Sequence, residues 1–459
     1  MTDVLITGAR VVTPRGVVER DVTIRGGKVR LAPAAKDRAQ ARRGAIPRKA
    51  VTAGGGGRRS PEVARIDARG RLLLPGFVDI HTHGYGGFDV VLGVYDAASD
   101  TFDGSRRASR AALADYVHRM PALGVTAVFL TTMAAEERVL RRRLRLLDEF
   151  LQGPPEGTRI AGVFLEGTFI SASMLGAMNR KFVQPPDARL FDRLNETGLV
   201  KLALVAPECG PAALGLIRHM SRRGVVPGAG HTDASADQLR EARRAGLAYI
   251  VHFLNGPTGH NYKSFDGGGA VEGALSDDAL PCEIIADGYH VDPRYVRDVV
   301  ARKGADRVIA ISDSMFPAGM VTGGARGFSS FTVKGVHGTV GPGGKYLQVA
   351  DKPSVLFGSC LDMPTAFGNL VSWLTRPMSG IWVRRHDALS PDDALVAAAK
   401  MAATNPARLT GLDRSLGVGR IANGRAADLV LARLKGKPGA YTLTVDRTWS
   451  AGREVFRRT

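Results

Sequence analysis

The segment 75-PGFVDIHTHGYGGFDV-90 places two of the chain's ten histidines, His81 and His83, one residue apart where an apolar run meets a glycine-rich loop. Side chains alternate along a strand with a period of two, so both imidazoles face one side and Thr82 the other. Two imidazoles aimed at one point begin a metal site, although a pair this close also arises by chance in a surface loop. Further ligands decide between the two readings. Glu166 follows the apolar run IAGVFL, His231 follows GVVPGAG, His252 lies in LAYIVHFL and Asp313 follows VIAIS. Taken singly, a Glu at such a point is more often a helix cap, and a His more often a hydrogen-bonded core residue. Six such residues at matching strand ends make chance a poor explanation. Imidazoles with a carboxylate suit a divalent cation such as zinc, with an open coordination position at which water is activated. Asp313 would then be a carboxylate beside that water, accepting its proton and delivering it to a leaving nitrogen.

Residues so far apart meet only if their elements bring them to one place. Eight apolar runs (LLLPGFVDI, VTAVFLTT, IAGVFLEG, LVKLALVAPE, GVVPGAGH, LAYIVHFL, CEIIADG and RVIAISDS) alternate with helical patterns such as 107-RASRAALADYVHRM-120 and 235-SADQLREARRAG-246. This predicts an α/β chain with an eight-stranded parallel (β/α)8 barrel of the TIM type, in which reactive residues sit at strand carboxyl ends. A doubly wound open sheet is the rival, but no GxGxxG follows the first strand. Both chain ends read as short alternating strands, VLITGARVV and DVTIRGGKV at one, ADLVLARL and YTLTVDRTWSAGREVF at the other. Neither end offers enough strands for a core of its own, so a small β-sandwich built from both termini is expected. The domain limits are then 1–74 and 406–459 for the small domain and 75–405 for the barrel.

With 459 residues, 44% of them hydrophobic, the chain can bury a large core. No run is long enough for a membrane span, and the amino terminus lacks a signal-peptide layout, so a cytoplasmic location is the default expectation. Cys209, Cys282 and Cys360 form no CxxC pair and are expected as buried reduced thiols. The formal charge of +19 raises nucleic-acid binding, but it is unevenly placed. Residues 32–60 hold eight Lys or Arg against one Asp in an Ala- and Gly-rich stretch that reads as a flexible insertion. In 138-RVLRRRLRLLDEF-150, the spacing of Val139, Leu140, Leu144, Leu147 and Phe150 predicts an amphipathic helix whose arginines are its solvated face. Basic charge is therefore weak support for a nucleic-acid partner.

The blocks PGFVDIHTHGYGGFD, GVFLEGTFIS, PGAGHTDAS, VHFLNG, IIADGYHVD, ISDSMFPAG, LFGSCLDM and ATNPARLTGL resemble the amidohydrolase superfamily. Within it they are similar to the N-acetylglucosamine-6-phosphate deacetylases, nearly end to end. The resemblance implies that Glu166, His231 and His252 hold one metal and that Asp313 is the catalytic acid and base. His81 and His83 match a pair that only some members keep, which leaves room for a second metal. It further implies that Asn255 and Gly256 contact an amino sugar substrate, that His290 faces its phosphate, and that the protein is a homodimer. Two departures bear on the substrate. Met178 stands where the family has a substrate-contacting histidine, and a thioether donates no hydrogen bond, so Asn179, Arg180 or a second metal would have to compensate. Lys263 or His260 stands in for an arginine that reaches the partner subunit's phosphate, and a lysine meets phosphate as a point charge without a fork. The expected reaction is deacetylation of N-acetylglucosamine 6-phosphate. The alternatives are the galactosamine epimer, an unphosphorylated sugar, and N-acyl amino acid or cyclic amide hydrolysis.

Overall fold

Apolar runs covered on both faces become parallel strands, and eight of them close a barrel. In a computed structural model describing residues 3–33, 63–153, 156–259, 265, 267–320 and 328–459, the barrel strands pair in chain order. They are Phe77–Thr82, Val125–Thr131, Arg159–Phe169, Val200–Val205, Val226–Ala229, Tyr249–Ile250, Cys282–Ile285 and Val308–Ile311. Closure comes from the chain just beyond the last strand: Asp313 N–H donates to the His81 carbonyl at 2.9 Å, and Thr82 bridges Ser314 in parallel. Each of the eight expected runs contains a barrel strand, but the first, LLLPGFVDI, divides: Leu72–Pro75 joins the sheet of the small domain and only Phe77–Thr82 enters the barrel. Each is followed by a helix, from Arg106–Arg119 after the first to Met363–Leu374 after the eighth. All residues of the first two strands are buried, as a barrel wall between side-chain layers and outer helices requires.

Strands from both chain ends form one separate eight-stranded sheet: Asp3–Thr13, Gly16–Arg25, Lys28–Leu31, Val63–Asp67 and Leu72–Pro75 from the amino end, and Leu429–Lys437, Ala440–Ser450 and Arg453–Arg457 from the other. The period of two lets its central strands serve two cores. Leu73, Leu429 and Leu431 pack with Ile6, Val11 and Trp449 inside this domain, while Leu72, Leu74 and Val430 point into the barrel's core.

Two four-stranded sheets that the sequence patterns did not suggest lie in loops at the barrel mouth. One, Gly84–Tyr85 to Thr101–Asp103, follows the first barrel strand, and the other, Ser330–Val333 to Lys352–Leu356, follows the eighth. Their strands are short and mix polar with apolar residues, so no periodicity announces them.

The arginine-rich helix forms at Glu137–Leu151 with Leu140, Leu144 and Leu147 buried. Its arginines are less free than a solvated face implies. Arg143 donates to the carbonyls of Val91 and Leu92, and Arg141 and Arg145 both pair with Glu196. The expectation of three buried thiols is corrected at Cys209, which is exposed in the turn Pro207–Cys209 that carries the chain outward, whereas Cys282 is buried and Cys360 half-buried. Most of the basic stretch 32–60 lies outside the described residues, as do Lys263 and His260. Among the described residues no helix is long and apolar enough to cross a membrane.

Candidate metal centre and active site

His81, His83, Glu166, His231, His252 and Asp313 meet at the carboxyl ends of the barrel strands, all buried. Glu166 sits in the middle and divides them. Its Oε2 lies 3.5 Å from His81 Nε2 and 3.1 Å from His83 Nε2, and its Oε1 lies 3.4 Å from His231 Nε2 and 3.0 Å from His252 Nε2. Two triads with metal-ligand spacing result, His81/His83/Glu166 and Glu166/His231/His252, sharing one carboxylate. Asp313 Oδ1 is 3.3 Å from both His81 Nε2 and His83 Nε2.

Backbone strain aims these side chains. His231, His252 and Asp313 have φ of 43°, 28° and 49°, a region that costs a residue with a side chain about 1–3 kcal/mol and persists where surrounding structure enforces it. Each lies two residues past the end of a barrel strand, which closes at Ala229, Ile250 and Ile311 respectively. The ring of His231 is then set by a hydrogen bond from Nδ1 to the Met174 carbonyl at 2.7 Å, and its loop is tied down by the Ser235–Gln238 capping box at the next helix. Gly256 is needed for closeness: a Cβ there would stand 2.9 Å from the His252 ring.

Electrostatics and unpaired atoms both fit a cation. His81 Nε2 and Glu166 Oε2 are buried without a hydrogen-bond partner although they face each other, as donor atoms do around a shared ion. Burial alone would lower His83, but the neighbouring carboxylates of Asp313 and Glu166 outweigh it and hold the imidazole at about 9. Burial likewise opposes a charge on His81, yet the carboxylates of Asp313, Glu166 and Glu283 keep it well above the ordinary histidine value. Burial would raise Glu166 and Asp313, and the His81 charge with hydrogen bonds from neighbouring imidazoles holds both below the usual carboxylate range.

A consequence is measurable. Without metal, His81 and His83 keep protons at neutral pH that a cation must displace, so metal affinity should climb as pH rises from neutral through about 9, where His83 titrates. In the metal-free protein the same pairing stabilises the fold fully below the ordinary value of 6.5 and is lost as pH rises through about 9. Metal titrations at several pH values, with proton release recorded, check the first point; an affinity flat across neutral pH would contradict it.

The two triads also predict stoichiometry. Wild-type protein should take up two ions, and His81→Gln with His83→Asn should leave about one, held by Glu166, His231 and His252. Unchanged stoichiometry in that double variant would make the HTH pair structural.

Above the cluster opens a cavity of about 440 Å³. His83, Glu166, His231, His252 and Asp313 form its floor, and Met178, Asn255 and Gly256 line it. Met178 lies against Gly167, whose φ of 86° and lack of Cβ make room for the sulfur beside Glu166. Asn179 lines the cavity too, but its amide is committed, donating to the Lys334 carbonyl at 2.8 Å and accepting from Lys181 N–H at 3.0 Å. Arg180 and His290 are not among the lining residues; His290 bonds Asp287 Oδ2 through Nδ1 at 2.7 Å. Lys334, from the mouth sheet, lines the cavity and pairs with Glu136 at 2.6 Å. Sequence reasoning passed over Lys334, which no pattern marks, and over Glu283, which one does: a carboxylate inside an otherwise apolar strand.

A closed parallel barrel with a buried histidine and carboxylate cluster at its strand ends has that cluster where TIM-barrel enzymes carry their active sites. Residues 72–455 match the amidohydrolase family, and the chain belongs to it. An N-acetylglucosamine-6-phosphate deacetylase of Bacillus subtilis (strain 168) is 31% identical over 270 residues, covering 58% of this chain and 63% of the relative, which is less than two thirds of its length. An N-acetylgalactosamine-6-phosphate deacetylase of Escherichia coli O157:H7 is 30% identical over 352 residues, 75% of this chain and 80% of the relative. The crystal structure of the N-acetylglucosamine-6-phosphate deacetylase of Thermotoga maritima shares the fold, with a TM-score of 0.73 at 24% identity over 99% of this chain and 100% of that one.

Proposed function

We propose that the protein removes the acetyl group from N-acetylglucosamine 6-phosphate, giving acetate and the amino sugar phosphate. The observation that carries this reading is the convergence of two ligand triads and a carboxylate outside both of them, Asp313, on the floor of one cavity. Glu166, His231 and His252 would hold one ion and His81, His83 and Glu166 a second; the mixed nitrogen and oxygen donors suit zinc. A cation there supplies polarisation of the amide carbonyl and a lowered pKa for water. Asp313, held ionised by the histidines around it, accepts the proton of the attacking water and returns it to the amide nitrogen as the C–N bond breaks. Asn255, on the cavity wall, orients the sugar, and Met178 fills space beside Glu166 without offering a hydrogen bond. His290 and Lys263 remain part of the proposal as phosphate-side residues, and a homodimer, read by light scattering, belongs to it as well.

Acetate release from the 6-phosphates of N-acetylglucosamine and N-acetylgalactosamine and from the free sugars, before and after metal removal, tests it. Highest kcat/KM on the glucosamine phosphate with loss on chelation is expected. The galactosamine relative makes that epimer the second reading, decided by the same panel. Acetate release that survives complete metal removal would overturn both.

A further inference from the structure

Glu283 is a buried carboxylate that this reaction scheme leaves unused. It lies in the seventh barrel strand, Cys282–Ile285, between apolar neighbours, and is 0% exposed. A carboxylate persists there only if its partners repay desolvation. Both partners of its side chain belong to ligand residues. Glu283 Oε2 accepts from His81 Nδ1 at 3.1 Å and from the backbone N–H of His252 at 3.1 Å. Its backbone carbonyl accepts from Phe253 N–H at 2.8 Å, so the turn at His252 is gripped twice by one residue.

We infer that Glu283 is a positioning residue that couples the two candidate ion sites, an inference that rests on the metal reading above. When His81 gives up a proton to a cation, the bond to Glu283 keeps the remaining one on Nδ1 and leaves the Nε2 lone pair facing His83 and Glu166. The bond to His252 N–H holds the backbone at φ 28°, which aims Nε2 at the other oxygen of Glu166, 3.0 Å away. His81 belongs to one triad and His252 to the other, and a single oxygen atom of Glu283 serves both. Loosening it turns one ring's tautomer free and relaxes the other ring's backbone.

Metal-free wild type, Glu283→Leu and Glu283→Gln, titrated with cobalt(II) and read by visible absorption, with zinc in competition, test this. Wild type should bind two ions. Leucine has no acceptor, so both dissociation constants should rise by roughly 10–100-fold and the cobalt spectrum should change. Glutamine keeps a carbonyl oxygen for both bonds but no charge, and should recover most of the loss, remaining roughly tenfold weaker than wild type. A merely structural role predicts lower thermal stability with wild-type metal affinities, and that result overturns the inference. Weakening of one ion alone, or fewer than two ions in wild type, refutes the coupling. Wild type that takes up no ion refutes the metal reading itself. Should the leucine variant fail to fold, the glutamine variant decides, and wild-type dissociation constants in it overturn the proposal.

Discussion

Asp313→Asn should lower turnover by roughly 10²–10⁴-fold, the range attributed to a positioned general acid and base. The substitution keeps size and most hydrogen bonding and removes the ability to carry a proton. Asp313 lies on the cavity floor, 3.3 Å from both His81 and His83, and its backbone N–H is fixed on the His81 carbonyl at 2.9 Å, so an asparagine should take the same place. KM should change far less than kcat, because the lost interaction belongs chiefly to the transition state. Single-turnover kinetics on metal-loaded variant protein provide the check. Turnover within about threefold of wild type, with metal retained, would assign the proton to another group.

Glu166→Gln should be at least as damaging, by a different route. The carboxylate supplies one oxygen to each triad, whereas an amide has a single oxygen and an NH₂ group that must face one pair of imidazoles. One ion should therefore be lost, and the affinity for the other should fall by at least the roughly 10–100-fold seen when even an outer partner of a ligand is removed. Metal content and acetate release, measured on the same sample, should fall together. Two ions bound at wild-type affinity would remove Glu166 from the site.

How much of this was legible in the chain differs by element. The eight barrel strands stood out because a strand covered on both faces must be a continuous apolar run, and such runs are visible locally. The HTH reading was equally local: a period of two makes His81 and His83 share a face, and both rings do lie against the same oxygen of Glu166. The residues at the strand ends could be named because a barrel has only one carboxyl-end mouth.

Other features depended on closure and on loops. That Glu166 would divide the histidines into two triads follows from where strands far apart in sequence come to rest around the barrel, a relation no local period encodes. Lys334 reaches the cavity on a sheet whose strands carry no clear pattern, and Asn179, available by sequence, is tied to that sheet's backbone. His290 is bound to Asp287 instead of lining the cavity, because a hydrogen bond three residues away in its own loop sets the ring. Glu283 is a charge inside an apolar strand that the sequence reading passed over, and its task could not be read there. Side-chain type and spacing are properties of the chain and determined the strands, the candidate ligands and the chemistry open to them. The partner of each polar atom is decided only when desolvation forces every buried donor and acceptor to find one, and in this protein those partners come from strands and loops that only the closed barrel brings together.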